Sequence, residues 1–216
     1  APIVSGIVAL LKSIHPDWTV MQFIRHLRAT SDKSLKGVVG NEHYFAGRVN
    51  AFRAVSINNP KASENTLPGI LAENLAINNI QSYIDKYGQN LLKADLKNYL
   101  SNVNNLKVKV SAIDNYIKVL TNELTIDNIN SSASKSINIE FELLSNCPWY
   151  AGSAQVLLTY ESGEYLDYQV LDIPLKLNSD NIFNQVYNLP LSYQITPHGA
   201  SVPSKGVAWA IGNSPI

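Results

Sequence analysis

The first predicted helix of the chain is apolar on every side. Between Ile3 and Ile14 the apolar residues surround the helix axis instead of keeping to one face, and Pro2 stands at a first-turn position that suits proline. A helix that is apolar all round is buried on all sides in a folded protein. The next hundred residues offer no obvious body of protein to bury it, so we expect a further segment of the protein to precede Ala1.

Two shorter helices are predicted next. Pro16 ends the first helix, because the residue before a proline is disfavoured in the helical region. Thr19 then begins a second helix, and Gln22 three residues later completes a capping box. Apolar residues in this helix recur at three- and four-residue spacing, which predicts an amphipathic surface helix. After Gly47, a third short helix is predicted over 49–55.

The second half of the chain alternates apolar and polar residues, which predicts β-strands. Because turn residues separate these stretches, we predict an all-β sandwich-like domain over 106–216. Residues 57–105 are interpreted as a linker with two helices, since apolar residues between 77 and 103 recur near helical spacing. The predicted strands are 106–110, 117–119, 124–126, 137–143, 156–160, 165–173 and 207–211.

Composition narrows the class of protein only slightly. Charged residues make up 16% of the chain, below the usual quarter, and asparagine, serine and tyrosine supply much of the polarity, which favours an exported protein. The net charge is zero and no lysine/arginine cluster is interleaved with aromatic residues, so nucleic-acid binding is not predicted. No apolar run reaches the roughly twenty residues of a membrane span. The single cysteine, Cys147, is interpreted as a small buried side chain without an internal disulfide.

Candidate catalytic and metal-binding side chains are few. His15 is interpreted as a turn residue, and His26 as a solvated residue on the polar side of the second helix. Ser5 is not expected to act as a nucleophile with His15, because it lies a few turns away on the same buried helix. His43 and His198 fall in predicted loops without a partner at metal-ligand spacing.

A group of tyrosines in the β region has two interpretations. It forms either a sugar- or peptide-binding surface or, as we favour, ordinary strand positions, where aromatic residues are common. These residues are Tyr150, Tyr160, Tyr165, Tyr168, Tyr187 and Tyr193.

Four motifs follow one another in the first 56 residues. They are APIVSG at 1–6, ALL at 9–11, HPDWT at 15–19 and GRVNAFRAV at 47–55. This ordered set resembles the C-terminal end of the catalytic domain of subtilisin-like serine proteases, over about a quarter of the chain. In that family a Gly-Thr-Ser-x-Ala-Ala-Pro motif leads into a buried central helix, and a Gly-x-Val-Asn-Ala helix closes the domain. The family often has glycines before that last helix, where Tyr44-Phe45-Ala46 stands here.

The resemblance implies an α+β fold class. Residues 1–56 would be helices from the C-terminal end of a subtilisin-like α/β domain, 57–105 the linker, and 106–216 the all-β accessory domain. The implied function is a serine endopeptidase whose nucleophilic serine lies three residues before Ala1, with the aspartate and histidine of the triad still earlier. The chain alone is therefore expected to be inactive.

The same resemblance sets the expected sites and partners. No catalytic, cofactor-binding or metal-binding residue is expected within this chain, while calcium is compatible with the whole protease. The expected partners are the N-terminal part of the same protease, packed on Ala1–Ile14, and protein or peptide substrates. The expected location is secreted or at the cell surface.

A second class of protein stays open at this point. In that alternative the chain is a non-catalytic β-rich binding or adhesion module, or the remnant of a pseudoprotease. Its β-domain would bind carbohydrate or another partner, and the first helix would only pack against that domain. The sequence before Ala1 distinguishes the two alternatives. A Gly-Thr-Ser-x-Ala motif with an aspartate and a histidine further upstream would support the protease, whereas a start codon or an unrelated sequence would support the binding module.

Overall fold

Three helices and eight strands make up the described part of the chain. The computed structural model describes residues 2–33, 47–61, 65–79, 82–148 and 150–177. Residues 1–176 form one compact unit and 177–216 a second, of which only Leu177 is described. The elements are α1 (Pro2–Ile14), α2 (Val20–Thr30), α3 (Ala51–Ser56), β1 (Ile70–Ile77), β2 (Gly88–Asn98), β3 (Val103–Ala112), β4 (Ile117–Val119), β5 (Glu123–Ile129), β6 (Ser134–Leu143), β7 (Ser153–Ser162) and β8 (Tyr165–Pro174).

Two four-stranded antiparallel sheets form a β-sandwich in the first unit. The strand order is β1-β2-β6-β4 in one sheet and β5-β3-β7-β8 in the other. In β6 the alternate residues Ile137, Ile139, Phe141 and Leu143 are buried, while Asn138 and Glu140 between them are exposed. Since successive side chains of a strand point to opposite faces, this alternation directs the apolar side chains into the core. The sandwich-like fold of the β region, predicted from the sequence, is therefore present.

The predicted α+β fold class is wrong. The described structure is mostly β, with two antiparallel sheets and few helices, instead of a helical end of a subtilisin-like α/β domain followed by an all-β domain. The sheets also begin earlier than predicted, because β1 and β2 lie within 57–105. The two helices predicted between 77 and 103 are wrong for the same reason.

The spacing of apolar residues in β2 explains this error. Leu92 and Leu96 are four residues apart, which fits a helix as well as a strand. The alternation of apolar and polar residues that is typical of a strand depends here on the small residue Ala94 between them. The side chains of Leu92, Ala94 and Leu96 are all at most 1% exposed. Hydrogen bonds to β1 on one side and β6 on the other fix the segment as a central strand.

The other predicted helices and strands are present where the structure describes the chain. α1 ends at Ile14, and the capping box of α2 is present, with the Thr19 backbone N–H donating to Gln22 Oε1 at 2.8 Å. The third helix begins two residues later than predicted, after the N-cap Asn50. The strands predicted between 106 and 173 lie within β3 to β8, while 207–211 falls outside the described residues.

Side chains of β8 bind the edge strand β1 of the other sheet. Gln169 Oε1 accepts from the backbone N–H of Ala72 at 2.8 Å, and Gln169 Nε2 donates to the carbonyl of the same residue at 2.9 Å. The hydroxyl of Tyr165 accepts from the backbone N–H of Ile70 at 3.0 Å. An edge strand presents unpaired backbone groups, and these side chains satisfy part of them. The two sheets are therefore joined at this edge by hydrogen bonds as well as by the core.

Candidate functional site

One stripe of α1 carries apolar side chains that the described residues leave uncovered. Ile3 is 73% exposed and Leu10 is 56% exposed. Apart from its chain neighbours and the backbone of its own helix, nothing in the described structure lies within 4 Å of the place where a Cβ would stand on Gly6. Since these positions are three and four residues apart, they lie on one side of the helix. This side of α1 is therefore an exposed, partly apolar surface.

The neighbouring stripe of α1 is buried in a small core shared by the three helices. Ile7 and Leu11 pack there with Phe23 of α2 and Ala54 of α3, and Trp18 is partly buried against them. This core fixes the orientation of α1 and hence the direction of its exposed stripe. Within the described residues only this stripe of α1 is buried, so the prediction that a further segment covers the rest of the helix stays a prediction.

A buried carboxylate joins α2 to β8. Asp167 is 1% exposed and accepts two hydrogen bonds from Arg28, at 3.2 Å from Nε and 2.9 Å from Nη2. Lys33 Nζ lies 3.2 Å from Oδ1, and Arg25 Nη1 lies 3.9 Å from Oδ2. Burial lowers the pKa of both Lys33 and Arg25, and the charge of Asp167 opposes that shift. One carboxylate thus lies within 4 Å of three cations in a partly desolvated site, where it offsets part of the cost of burying their charges.

Asn98, at the end of β2, bonds four backbone groups of the loops around it. Its side chain is fully buried, and Oδ1 accepts from the N–H of Gly69 at 3.1 Å and of Leu100 at 3.2 Å. Nδ2 donates to the carbonyls of Ser101 at 2.7 Å and Ile129 at 3.1 Å. One amide therefore uses all of its hydrogen-bonding capacity to hold these loops together.

His26 is fully buried where α2 meets α3. Its Nε2 lies 2.7 Å from the carbonyl oxygen of Ala54, so this nitrogen carries the proton and donates it. Nδ1 then accepts from Nδ2 of Asn58 at 3.4 Å. Burial lowers the pKa of His26, which keeps the ring neutral. The prediction that His26 is solvated is wrong, because the ring occupies the helix junction instead of the polar side of α2.

We expect acid to destabilise the fold through His26. Its pKa lies below the ordinary value of 6.5 in the folded state, so the unfolded chain binds the extra proton first. The contribution of neutral, buried His26 to the free energy of unfolding is therefore complete above about pH 6.5, the ordinary pKa of histidine in the unfolded chain. This contribution declines as the pH falls below that value. The variant His26→Gln retains a donor for the Ala54 carbonyl but does not titrate. Urea unfolding at about pH 7.5 and about pH 5 measures how much stability each protein loses on acidification, and we expect the loss to be smaller for His26→Gln than for the wild type. An equal loss in both proteins would contradict this assignment.

A cleft of about 590 Å³ opens between the turn after α1 and the loops of the sandwich. On the helical side it is lined by His15 and Trp18, whose rings stack at a centroid distance of 3.7 Å with 7° between their planes. His15 thus follows α1 in a turn, as predicted, and also contributes to this cleft. The remaining lining residues are Gln22, Asn58, Pro60, Thr66, Leu100, Ser101, Asn102 and Ser131.

The other residues singled out in the sequence do not form a site in the described structure. Ser5 lies on an exposed part of α1. Cys147 is 3% exposed and burial raises the pKa of its thiol, which confirms the prediction of a small buried side chain. His43 and His198 fall outside the described residues. Among the described residues, no group of three or more histidine, cysteine or acidic side chains is placed to hold a metal ion.

The tyrosines of the β region do not form one surface. Tyr160 and Tyr165 are at most 1% exposed and belong to the core, whereas Tyr150 is 74% exposed. Tyr187 and Tyr193 lie outside the described residues. The interpretation of Tyr160 and Tyr165 as ordinary strand residues is therefore confirmed. No helix in the described part of the chain has the length and apolar character needed to cross a membrane.

Comparison with known proteins gives only distant structural likeness. No family model and no curated protein sequence matches the chain. Native α-2-macroglobulin of Escherichia coli is 13% identical over 49% of this chain and 6% of its own length, with a TM-score of 0.37. A Salmonella α-2-macroglobulin mutant is 17% identical over 51% of this chain and 7% of its own, with a TM-score of 0.37.

A third similar structure is much shorter. A Niemann-Pick type C2 protein from the Japanese carpenter ant is 8% identical over 50% of this chain and 92% of its own, with a TM-score of 0.33. The chain therefore spans only a small part of the macroglobulins and most of the ant protein. Since each TM-score lies below 0.5, the function proposed for this chain rests on its own residues.

Proposed function

We propose that this chain is the C-terminal part of a subtilisin-like serine endopeptidase. The observation that carries the proposal is the ordered set of four motifs in the first 56 residues. In the whole protein, an Asp/His/Ser triad preceding Ala1 would hydrolyse peptide bonds through an acyl-enzyme on the serine. None of the residues of this chain would take part in that chemistry directly. We place the whole protein outside the cell or at its surface, in keeping with the low content of charged residues.

The exposed stripe of α1 supports this proposal. Ile3 and Leu10 lie in water in this chain, and fully burying such a side chain contributes roughly 1.5–3 kcal/mol. The N-terminal part of the same protease would cover the stripe and gain that contribution. The nucleophilic serine would then lie at the N-terminus of α1, where free N–H groups and the helix dipole favour the negative charge that develops during acyl transfer.

We expect the 216-residue chain alone to resist labelling by a fluorophosphonate, which reacts with activated serine nucleophiles. A longer product of the same gene, extended upstream to include the aspartate, histidine and serine of the expected triad, is expected to become labelled under the same conditions. An active subtilisin serves as the positive control for the reagent. Labelling of the isolated chain, or an upstream sequence without that motif, would overturn the proposal.

A charge on the exposed stripe separates the proposed packing from a general loss of stability. Leu10→Lys is expected to leave the unfolding of the isolated chain unchanged, because Leu10 is already 56% exposed. In the longer protein, the same substitution would bury a charge against the N-terminal part and slow fluorophosphonate labelling by about tenfold or more. Leu120→Lys, at an exposed leucine after β4, is the matched control and is expected to label at the wild-type rate. Equal labelling of all three proteins would show that α1 does not support the active site.

The second candidate function is a non-catalytic binding module. The cleft between the helical turn and the sandwich favours it, because concave sites with aromatic and polar linings are typical of ligand binding. The sequence before Ala1 decides between the two functions. An upstream segment without the serine motif, together with ligand binding by this chain, would support the second candidate.

A further inference from the structure

Two side-chain amides in the cleft have orientations that their neighbours determine. Gln22 Oε1 accepts from the backbone N–H of Thr19 at 2.8 Å, and Asn102 Oδ1 accepts from the backbone N–H of Ser131 at 2.7 Å. A backbone N–H only donates, so the atom that faces it must be the amide oxygen. The NH₂ group of each amide is left without a hydrogen bond to any other described residue. The cleft therefore presents two fixed donors that are available to a ligand.

The other polar side chains of the cleft add hydrogen-bond acceptors, and hydrogen bonds among them hold the wall of the cleft in place. Asn58 Oδ1 accepts from the backbone N–H of Leu67 at 2.9 Å and from the hydroxyl of Ser101 at 3.1 Å, while its Nδ2 donates to the carbonyl of Leu67 at 3.0 Å. This network fixes Asn58, and the Ser101 oxygen keeps lone pairs with which to accept. Thr66 belongs to the same lining. The cleft thus offers both donors and acceptors on a preformed wall. This favours binding, because less conformational entropy of the side chains is lost when a ligand binds.

The charge and apolar content of the cleft narrow the class of ligand. Its described lining contains no aspartate, glutamate, lysine or arginine, and burial lowers the pKa of His15, so the lining is uncharged near neutral pH. The stacked rings of His15 and Trp18, together with Leu100, supply an apolar part of the wall. An anion or cation would find no counter-charge here, whereas a neutral ligand with both hydroxyl groups and an apolar face would match the lining.

We propose that this cleft is a binding site for a short neutral oligosaccharide. Sugar hydroxyls both donate and accept hydrogen bonds, as the amides and hydroxyls of the cleft require. The C–H face of a pyranose ring is apolar and packs against aromatic side chains. A volume of about 590 Å³ lies within the usual range of small-molecule sites. The site involves residues from both the helical turn and the sandwich, and it does not depend on the protease proposal.

The test is isothermal titration calorimetry of the full chain with cellotetraose, xylotetraose, mannotetraose and chitotetraose, each measured separately. We expect at least one of them to bind. Gln22→Glu keeps an oxygen for the capping box but removes the NH₂ donor and adds a negative charge. Asn102→Asp makes the same change while keeping an acceptor for Ser131. Each variant is expected to weaken binding by about tenfold, the effect of one lost hydrogen bond to a ligand.

The matched control is Asn138→Asp, which adds the same charge on the exposed face of β6 away from the cleft. It is expected to bind the sugar as the wild type does, and thermal unfolding checks that all three variants fold. A neutral Gly-Ser hexapeptide tests the other ligand class with the same proteins. Absence of binding to every sugar, equal binding by the cleft variants and the control, or binding of the peptide in place of the sugars would each overturn the proposal.

Discussion

Replacing Asp167 with alanine is expected to lower the free energy of unfolding by about 3–5 kcal/mol. The substitution removes the carboxylate that Arg25, Arg28 and Lys33 share and leaves these cations facing one another in a partly buried site. Asp167 is 1% exposed, so water does not replace the lost partner. The same change removes both hydrogen bonds from Arg28 of α2 to the Asp167 carboxylate of β8, while the bond from Arg28 to the Tyr168 carbonyl remains.

Urea unfolding followed by circular dichroism measures this effect. Glu161→Gln is the matched control, because Glu161 pairs with Lys109 on the exposed surface of β7 and β3, where ion pairs contribute little. The control is expected to unfold at the wild-type urea concentration. An Asp167→Ala protein that is as stable as the control would show that the buried ion cluster does not hold the helices to the sandwich.

Replacing Asn98 with alanine is expected to cost at least about 3 kcal/mol of stability, the second large effect. The N–H groups of Gly69 and Leu100 lose their acceptor, and the carbonyls of Ser101 and Ile129 lose their donor. Each buried backbone group without a partner costs roughly 1–3 kcal/mol. Relaxation of the loops allows some of these groups to find other partners. The expected loss of stability is therefore smaller than the summed cost of four unpaired backbone groups.

The control for Asn98 is another asparagine of the same sandwich. Asn104 lies in β3, and its side chain accepts a hydrogen bond from the exposed side chain of Asn128. Its backbone carbonyl, which accepts from Ser162, is kept by the substitution, so Asn104→Ala is expected to change stability by less than about 0.5 kcal/mol. Both variants are measured by the same urea unfolding experiment. Similar midpoints for Asn98→Ala and Asn104→Ala would contradict the role assigned to the buried amide.

Local patterns in the sequence were sufficient for most elements. The capping box formed by Thr19 and Gln22 and the stop at Pro16 involve neighbours within a few residues, and the structure has both. Strand β6 shows the period of two in large apolar residues alone. In β2 the same period depends on Ala94, and pairing with β1 and β6 outweighs the helical spacing of Leu92 and Leu96.

The sequence by itself thus determined the helices of the first 56 residues, most strands after residue 106 and the motifs on which the protease proposal rests. Only the tertiary structure decided that the fold is mostly β, which stripe of α1 packs into the core shared by the helices, and that His26 is buried. It also brought Arg28 to Asp167, 139 positions away, and placed Gln22 and Asn102 on one cleft. Capping and alternation depend on neighbours in the chain, whereas burial and ion pairing depend on which distant segments pack together.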